Sequence, residues 1–335
     1  MAKGGKKRGS SGPRGGSGGG KQNVRNIYVK RLAKILGLRA DDAERLVSTK
    51  LRSSIRINTL SPLSVDEIKA KLDAFGAELE PIPWCPGSYH LLSDKSAVAD
   101  SDLFQDGHVY IQNASSLIPA LGLEPQPGER ILDVCAAPGG KTAHIQALAG
   151  GTATIVANDA MQPRLKKLEE VLGMMHVANT QITNFQGQFI DRHLDDMGGE
   201  LFDRILLDAQ CSGEGMLNLS RSDALRFWTP ERVIKMSYLQ QKMITAAWKV
   251  LKPGGVLIYS TCTFGPEENE GPVARHLKHH PDAQIEPITL PIEGRMPGLK
   301  SWDGTQYPET LQHAMRVRPS EFLEGFFVCR VRKGG

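Results

Sequence analysis

From about Tyr110 to its end the chain alternates short apolar runs with helical patterns, and this rhythm restricts the possible folds more than any other feature. The runs are "RILDVC", "ATIVAN", "NTQIT", "FDRILLDA", "GVLIYST" and "GFFVCRVRK"; helical patterns follow Lys141 and Gln162 and fill 230–250. Strands separated by amphipathic helices build βαβ units, so the reading is α/β with a doubly wound, mostly parallel sheet. Right-handed crossovers then place the loop after each strand along one edge of the sheet. The chemically informative residues all fall in those loops.

Upstream the pattern differs. Between Val24 and Leu51 apolar residues recur at helical spacing (Ile27, Leu32, Ile35, Leu36, Leu46). "SIRINTL" alternates like a strand, a helix runs through Val65, Ile68, Leu72 and Phe75, and "AELEPIPWCPGSYHL" is an extended return. That strand–helix–strand unit over 54–92 is either a small RNA-binding platform or packing for the next domain. Residues 1–21 have no apolar period and are expected to be disordered. They carry Lys3, Lys6, Lys7, Arg8, Arg14 and Lys21 without an acid, so the rest of a chain of net charge +4 carries −2. Such a tail suits either a mobile arm for polyanions or a solubilising segment. The expected organisation is a basic tail (1–21), an N-terminal domain (22–108) and a second domain (109–335), and 335 residues suffice for both cores.

No apolar stretch is long enough to span a bilayer, and the Gly-rich start lacks a signal-peptide core, so a cytoplasmic protein without membrane contact is expected. The five cysteines are odd in number, widely spaced and without a C-x-x-C pair, which argues against disulfides and zinc. Cys85, Cys135 and Cys329 read as structural. The acids of "PEENE" read as a helix start rather than a metal site. No metal and a monomer are expected.

The first strand of the second domain runs into "DVCAAPGGKTAHI", a glycine-bearing turn that opens a helix, as nucleotide-like ligands require. A P-loop would need Gly where Cys135 stands, and there is no G-x-G-x-x-G, which disfavours ATP and nicotinamide cofactors. The second strand ends in "ANDA". Asp159 there suits the hydroxyls of an adenosine ribose, a helix N-cap, or both. The fourth and fifth strands end in "LLDAQCSGEG" and "YSTCTFGPEENE", and adjacent strand ends converge, bringing Asp208, Cys211 and Cys262 to one cleft. Two thiols beside an acid can serve covalent catalysis on an electron-poor ring.

Those three segments closely resemble the signatures of the NOL/NOP/Sun RNA cytosine-5 methyltransferases. "RSSIRINTL", "PIPWC" and "QNASSLIPALGL" resemble the bacterial type that acts on small-subunit ribosomal RNA. The likeness covers roughly 24–335. It implies a Rossmann-like class I methyltransferase with an antiparallel last strand and a small N-terminal α+β domain. It also implies S-adenosylmethionine as cofactor and RNA as partner, ribosomal RNA first and transfer RNA as the alternative. By the same resemblance Cys262 is the nucleophile that adds to C6 of cytosine. Asp208 orients the base, and Cys211 assists proton removal and product release. A thiol of ordinary pKa, about 8.5, is mostly protonated at neutral pH, so Cys262 needs activation. Lys141 is the candidate cation, unless it is only a solvated helix-start lysine. The resemblance places Cys135, Ala136, Ala137, Pro138, Gly139, Gly140, Lys141, Asp159 and Asp208 around the cofactor.

Two departures stand out. Gln186–Gly187 occupies the place of a D-G pair, so Gln186, with Asn184 as the nearby substitute, takes the adenine contact. Gln210 stands where the family has Pro, which implies a looser loop around Cys211 and slower product release. Arg221, Arg226, Arg316 and Arg318 suit phosphate contacts. A noncatalytic RNA-binding assembly factor is the competing function class.

Overall fold

The computed structural model describes Met1 and residues 17–335. Most of the basic tail lies outside the described residues, and helix Ser17–Leu36 already begins inside the stretch expected to be disordered. Its face of Tyr28, Val29, Leu32, Ile35 and Leu36, with Ala43 and Val47 beside helix Ala40–Leu46, buries against Leu219, Trp228 and Phe264. The first helix therefore packs on the second domain.

Four antiparallel strands follow: β1 (Ser54–Ile57), β2 (Leu79–Pro81), β3 (Ser88–Leu91) and β4 (Val109–Gln112), in the order β2-β3-β1-β4. Helix Val65–Ala74 starts at a reciprocal cap, in which Ser64 N donates to Glu67 at 2.8 Å and Glu67 N donates back to Ser64 Oγ at 3.3 Å. It lays Ile68 and Leu72 on Ile55, Ile57, Leu91 and Val109. Residues 109–112, read in the sequence as the start of the second domain, instead complete this sheet. "VYIQ" alternates, and Val109 and Ile111 join the cluster under the helix.

The large sheet holds β5 (Arg130–Asp133), β6 (Thr154–Asn158), β7 (Thr180–Thr183), β8 (Phe202–Asp208), β9 (Leu251–Thr261), β10 (Ala283–Glu286), β11 (Arg295–Pro297), β14 (Met315–Val317) and β15 (Phe326–Lys333). The hairpin β12 (Ser301–Trp302) and β13 (Thr305–Gln306) stands apart from it. The order is β11-β14-β15-β9-β8-β5-β6-β7, with β10 sharing the outer edge of β15. β5 to β9 pair in parallel and β15 runs antiparallel to β9. This is the Rossmann-like architecture expected. The short β10, β11 and β14 went unread, because three or four residues establish no periodicity.

Continuous apolar runs in the middle strands reflect burial on both faces. Ile205, Leu207, Leu257, Tyr259, Phe327 and Cys329 enter one core, while Leu206, Ile258, Phe326 and Val328 enter the other. The chain leaves β5 in opposite directions for β6 and β8, so the crevice opens at the carboxyl ends of β5 and β8, the switch point of such folds. No helix among the described residues is long and apolar enough to cross a membrane.

Candidate active site

The loop after β5 turns at Gly139 (φ 115°), a left-handed conformation that favours glycine, and opens helix Gly140–Leu148. A side chain on Gly140 would collide with the ring of Tyr110, so β4 also shapes this loop. Asp133 at the end of β5 is buried, and burial pushes its carboxyl up to about 7. Its Oδ2 accepts from Thr142 Oγ1 at 2.7 Å, while Oδ1 is buried without a partner.

Asp159, 2% exposed, accepts from Ala137 N at 3.2 Å and Met161 N at 2.9 Å, with the exposed Arg164 Nη1 at 3.1 Å. It ties the β5 and β6 loops together and leaves part of its acceptor capacity free. Asn184 Nδ2 donates to the Asp159 carbonyl at 2.6 Å. Gln186 is exposed, and its Oε1 accepts from Gln188 at 2.7 Å.

The crevice brings the four expected catalytic residues together. Lys141 Nζ and Asp208 Oδ2 are 2.7 Å apart, about a fifth exposed each, and Ser260 Oγ donates to Asp208 Oδ1 at 2.7 Å. Burial alone would lower the Lys141 pKa, but Asp208 foremost, with Cys262 and Asp133, raises it, so Lys141 is a firm cation beside the thiol. The Cys211 and Cys262 sulfurs are 3.3 Å apart. Contact with Cys262, then burial, holds the Cys211 thiol well above its usual range.

The supporting shell had no local signature. Buried Glu214 accepts from Trp228 Nε1 at 2.8 Å and Thr263 Oγ1 at 3.0 Å, and meets Arg31 of the first helix at 3.4 Å. Arg31 also forks onto Glu267 at 2.9 and 2.5 Å. Tyr28 donates to the Glu214 carbonyl at 3.0 Å, and Gly215 N to the Cys262 carbonyl at 2.9 Å. Glu268, pushed up to about 7 mainly by burial, accepts from Ser212 N and Gln240 Nε2, both at 2.9 Å. Gln240 also donates to the Gln210 carbonyl at 3.0 Å. The loop carrying Cys211 is thus held from both sides despite Gln210. The "PEENE" acids lead into the start of helix Glu270–His279, as expected, and are also tie points, with Glu270 paired to Arg316 at 2.5 Å. Arg316 is itself 3% exposed and so no phosphate contact. Glu324, just before β15, adds a third carboxyl, pushed up to about 7 mainly by burial and electrostatically linked to Lys141 and Asp208. Cys85, Cys135 and Cys329 are free thiols held protonated chiefly by burial. Among the described residues no group of three or more His, Cys, Asp or Glu is arranged to hold a metal ion.

A family model described as 16S rRNA methyltransferase RsmB/F matches residues 120–332, and one for the N-terminal domain of 16S rRNA methyltransferase RsmF matches 25–114. A tRNA (cytosine(49)-C(5))-methyltransferase of Pyrococcus abyssi is 37% identical over 317 residues, covering 93% of this chain and 97% of that protein. A ribosomal RNA small subunit methyltransferase F of Cronobacter sakazakii is 38% identical over 313 residues, covering 92% of this chain but 62% of that protein. Among solved structures, a methyltransferase homolog protein from Pyrococcus horikoshii superposes with a TM-score of 0.73 at 30% identity, covering 92% of this chain and 99% of its own. NSun6 from the same organism, at 23% identity, shares the fold with a TM-score of 0.74, covering 93% and 98%.

Proposed function

The chain belongs to the RsmB/F methyltransferase family, and from that premise we propose that it transfers a methyl group from S-adenosylmethionine to C5 of a cytosine in RNA. The observation that carries this reading is the pair of sulfurs 3.3 Å apart beside the Lys141–Asp208 ion pair. Ribosomal RNA is the first substrate reading, supported by family matches to both parts of the chain. Transfer RNA is the second, supported by 37% identity to the Pyrococcus abyssi tRNA enzyme over 93% of this chain; the chain spans 62% of the Cronobacter sakazakii rRNA enzyme.

The residues fit the cofactor. Asp133 offers a buried, unpartnered oxygen, Asp159 retains acceptor capacity, and the Gly139–Gly140 turn lets the backbone approach closely. Bound there, S-adenosylmethionine supplies an electrophilic methyl on a sulfonium. The Cys262 sulfur, in the crevice with the Lys141 ammonium, adds to C6 of the cytosine. The addition pushes the ring electrons to C5, the carbon that would accept the methyl group supplied by the sulfonium, whose sulfur would leave with the bonding pair. N3 takes up the proton that Cys262 gives up on adding to C6, and the Asp208 carboxylate accepts from that N3–H and from the exocyclic amine, stabilising the protonated ring.

Cys211, whose sulfur lies 3.3 Å from that of Cys262, acts next as the thiolate base that takes the C5 proton, so that Cys262 is expelled as the C5=C6 bond re-forms. Gln240 positions the Cys211 loop in place of the missing proline. Gln240→Ala is expected to slow steady-state turnover about tenfold while single-turnover methyl transfer changes less than threefold, on the scale of one lost buried hydrogen bond. Equal loss in both measurements would show that Gln240 does not act on product release.

The reaction itself is tested by transfer of labelled methyl groups to total RNA, nucleoside analysis and sizing of the labelled RNA. Expected is 5-methylcytidine in the ribosomal fraction; label in the transfer-RNA fraction moves the second substrate reading ahead. RNA binding without incorporation would favour a noncatalytic assembly factor.

A further inference from the structure

Between the cysteine loop and the helix Pro230–Lys249 the surface carries large apolar side chains that remain exposed among the described residues. Phe227 is 68% exposed, Tyr238 66%, Met216 59% and Ile234 44%. These positions are imposed by the scaffold. Trp228, the neighbour of Phe227, is 4% exposed and donates to Glu214 at 2.8 Å, which turns Phe227 outward. On the helix, Val233, Ser237 and Gln240 face the core, with Gln240 bound to the catalytic loop, so Ile234 and Tyr238, four residues apart, share the outer face. The helix N-terminus lies at the crevice end of the sheet, because its C-terminus feeds the start of β9.

The chemistry of the patch is specific. The guanidinium of Arg226 sits 5.1 Å from the centre of the Phe227 ring. From 221 to 242 there are five basic residues and two acids, Asp223 and Glu231. Arg221 pairs with Asp223 at 3.4 Å, which leaves Arg226 beside the Phe227 ring and Arg232, Lys235 and Lys242 along the helix that carries Tyr238. Exposed aromatic faces among cations match unstacked bases joined by phosphates, the combination that single-stranded nucleic acid presents.

We infer that Phe227 and Tyr238, flanked by Arg226 and Lys235, form a stacking platform for unpaired RNA bases next to the cytosine that enters the crevice. The inference rests on the RNA substrate proposed above and adds where the neighbouring nucleotides lie. It also addresses how a base becomes reachable: bases stacked on protein do not stack on the target, which lowers the cost of exposing it.

The test uses the full-length chain and a fluorescein-labelled single-stranded oligocytidylate of about twelve nucleotides, within the range such surfaces hold. The double variant Phe227→Ala/Tyr238→Ala is expected to weaken binding about ten- to a hundredfold, the value of one to two stacks. Phe227→Trp/Tyr238→Trp should restore it. The slope of log affinity against log salt should stay unchanged, since no phosphate contact is removed.

Unchanged affinity in the double alanine variant overturns the platform, as does a loss that comes with a reduced salt slope. Sedimentation showing that the variant loses self-association, with oligocytidylate affinity intact, assigns the face to a second copy of the chain and overturns it too. Methyl incorporation by the unaltered chain reports separately on the reaction, so failure of the catalytic reading and failure of the platform give different results.

Discussion

Cys262→Ala should produce no detectable 5-methylcytidine, a fall of at least about 10⁴-fold, which is the scale of losing a covalent nucleophile. Cytosine C5 cannot take a methyl group until a nucleophile at C6 has pushed electrons into the ring, and Cys262 is the thiol to which the resemblance gives that role. Cys211→Ala should behave in the opposite sense. The thiolate still adds and the methyl still moves, but the C5 proton has no nearby base, so enzyme and RNA stay joined. The measurement is a denaturing gel with labelled RNA: a shifted band for Cys211→Ala, none for Cys262→Ala and a faint one for the unaltered chain. The two thiols are neighbours at 3.3 Å, so exchanged roles are the obvious rival. An adduct in Cys262→Ala together with lost adduct in Cys211→Ala would establish that rival.

Asp208→Asn should lower turnover at saturating RNA about 10²- to 10³-fold, the usual effect of removing one preorganised charge from developing transition-state charge. The amide keeps the shape but loses the anion, leaving Lys141 unpaired in a crevice where its partner was 2.7 Å away. Lys141→Met should also be slow, and combining the two should cost less than their product because each removes the same pair. Turnover of Asp208→Asn within threefold of the unaltered chain would remove Asp208 from the chemistry. Stability should change modestly, since both side chains are about a fifth exposed and water screens the pair.

Physical range decides which features were legible in the sequence. Apolar runs buried on both faces announce central strands, so β5 to β9 could be read along with their parallel sense and β15 could be read as a strand. The strand-end loops placed Lys141, Asp208, Cys211 and Cys262 in one crevice because topology alone brings those ends together. Gln240 and Arg31 were invisible, because a glutamine inside a helix pattern and an arginine on a mostly basic helix look like solvated surface. Their roles depend on partners 30 and 236 residues away, Gln210 and Glu267. Glu324 was hidden for the same reason: a carboxyl before a strand acquires meaning only from the groups the fold sets beside it. Arg316 shows the converse error, since composition cannot distinguish a guanidinium kept for RNA from one paired with Glu270.

The place of β15 in the sheet has a consequence for how the molecule is made. This strand comes after every other strand of the sheet in the chain, yet it lies between β9 and β14 with both of its faces in the two cores. A ribosome delivering the chain in order would present β9 with a bare edge and two half-filled apolar layers until Phe326–Lys333 had emerged. Contacts of such long sequence separation are slow to close, and open sheet edges pair with whatever strand is near. The nascent protein is therefore at its most adhesive just before this strand appears, and Phe326–Lys333 sets when it can safely leave the care of chaperones.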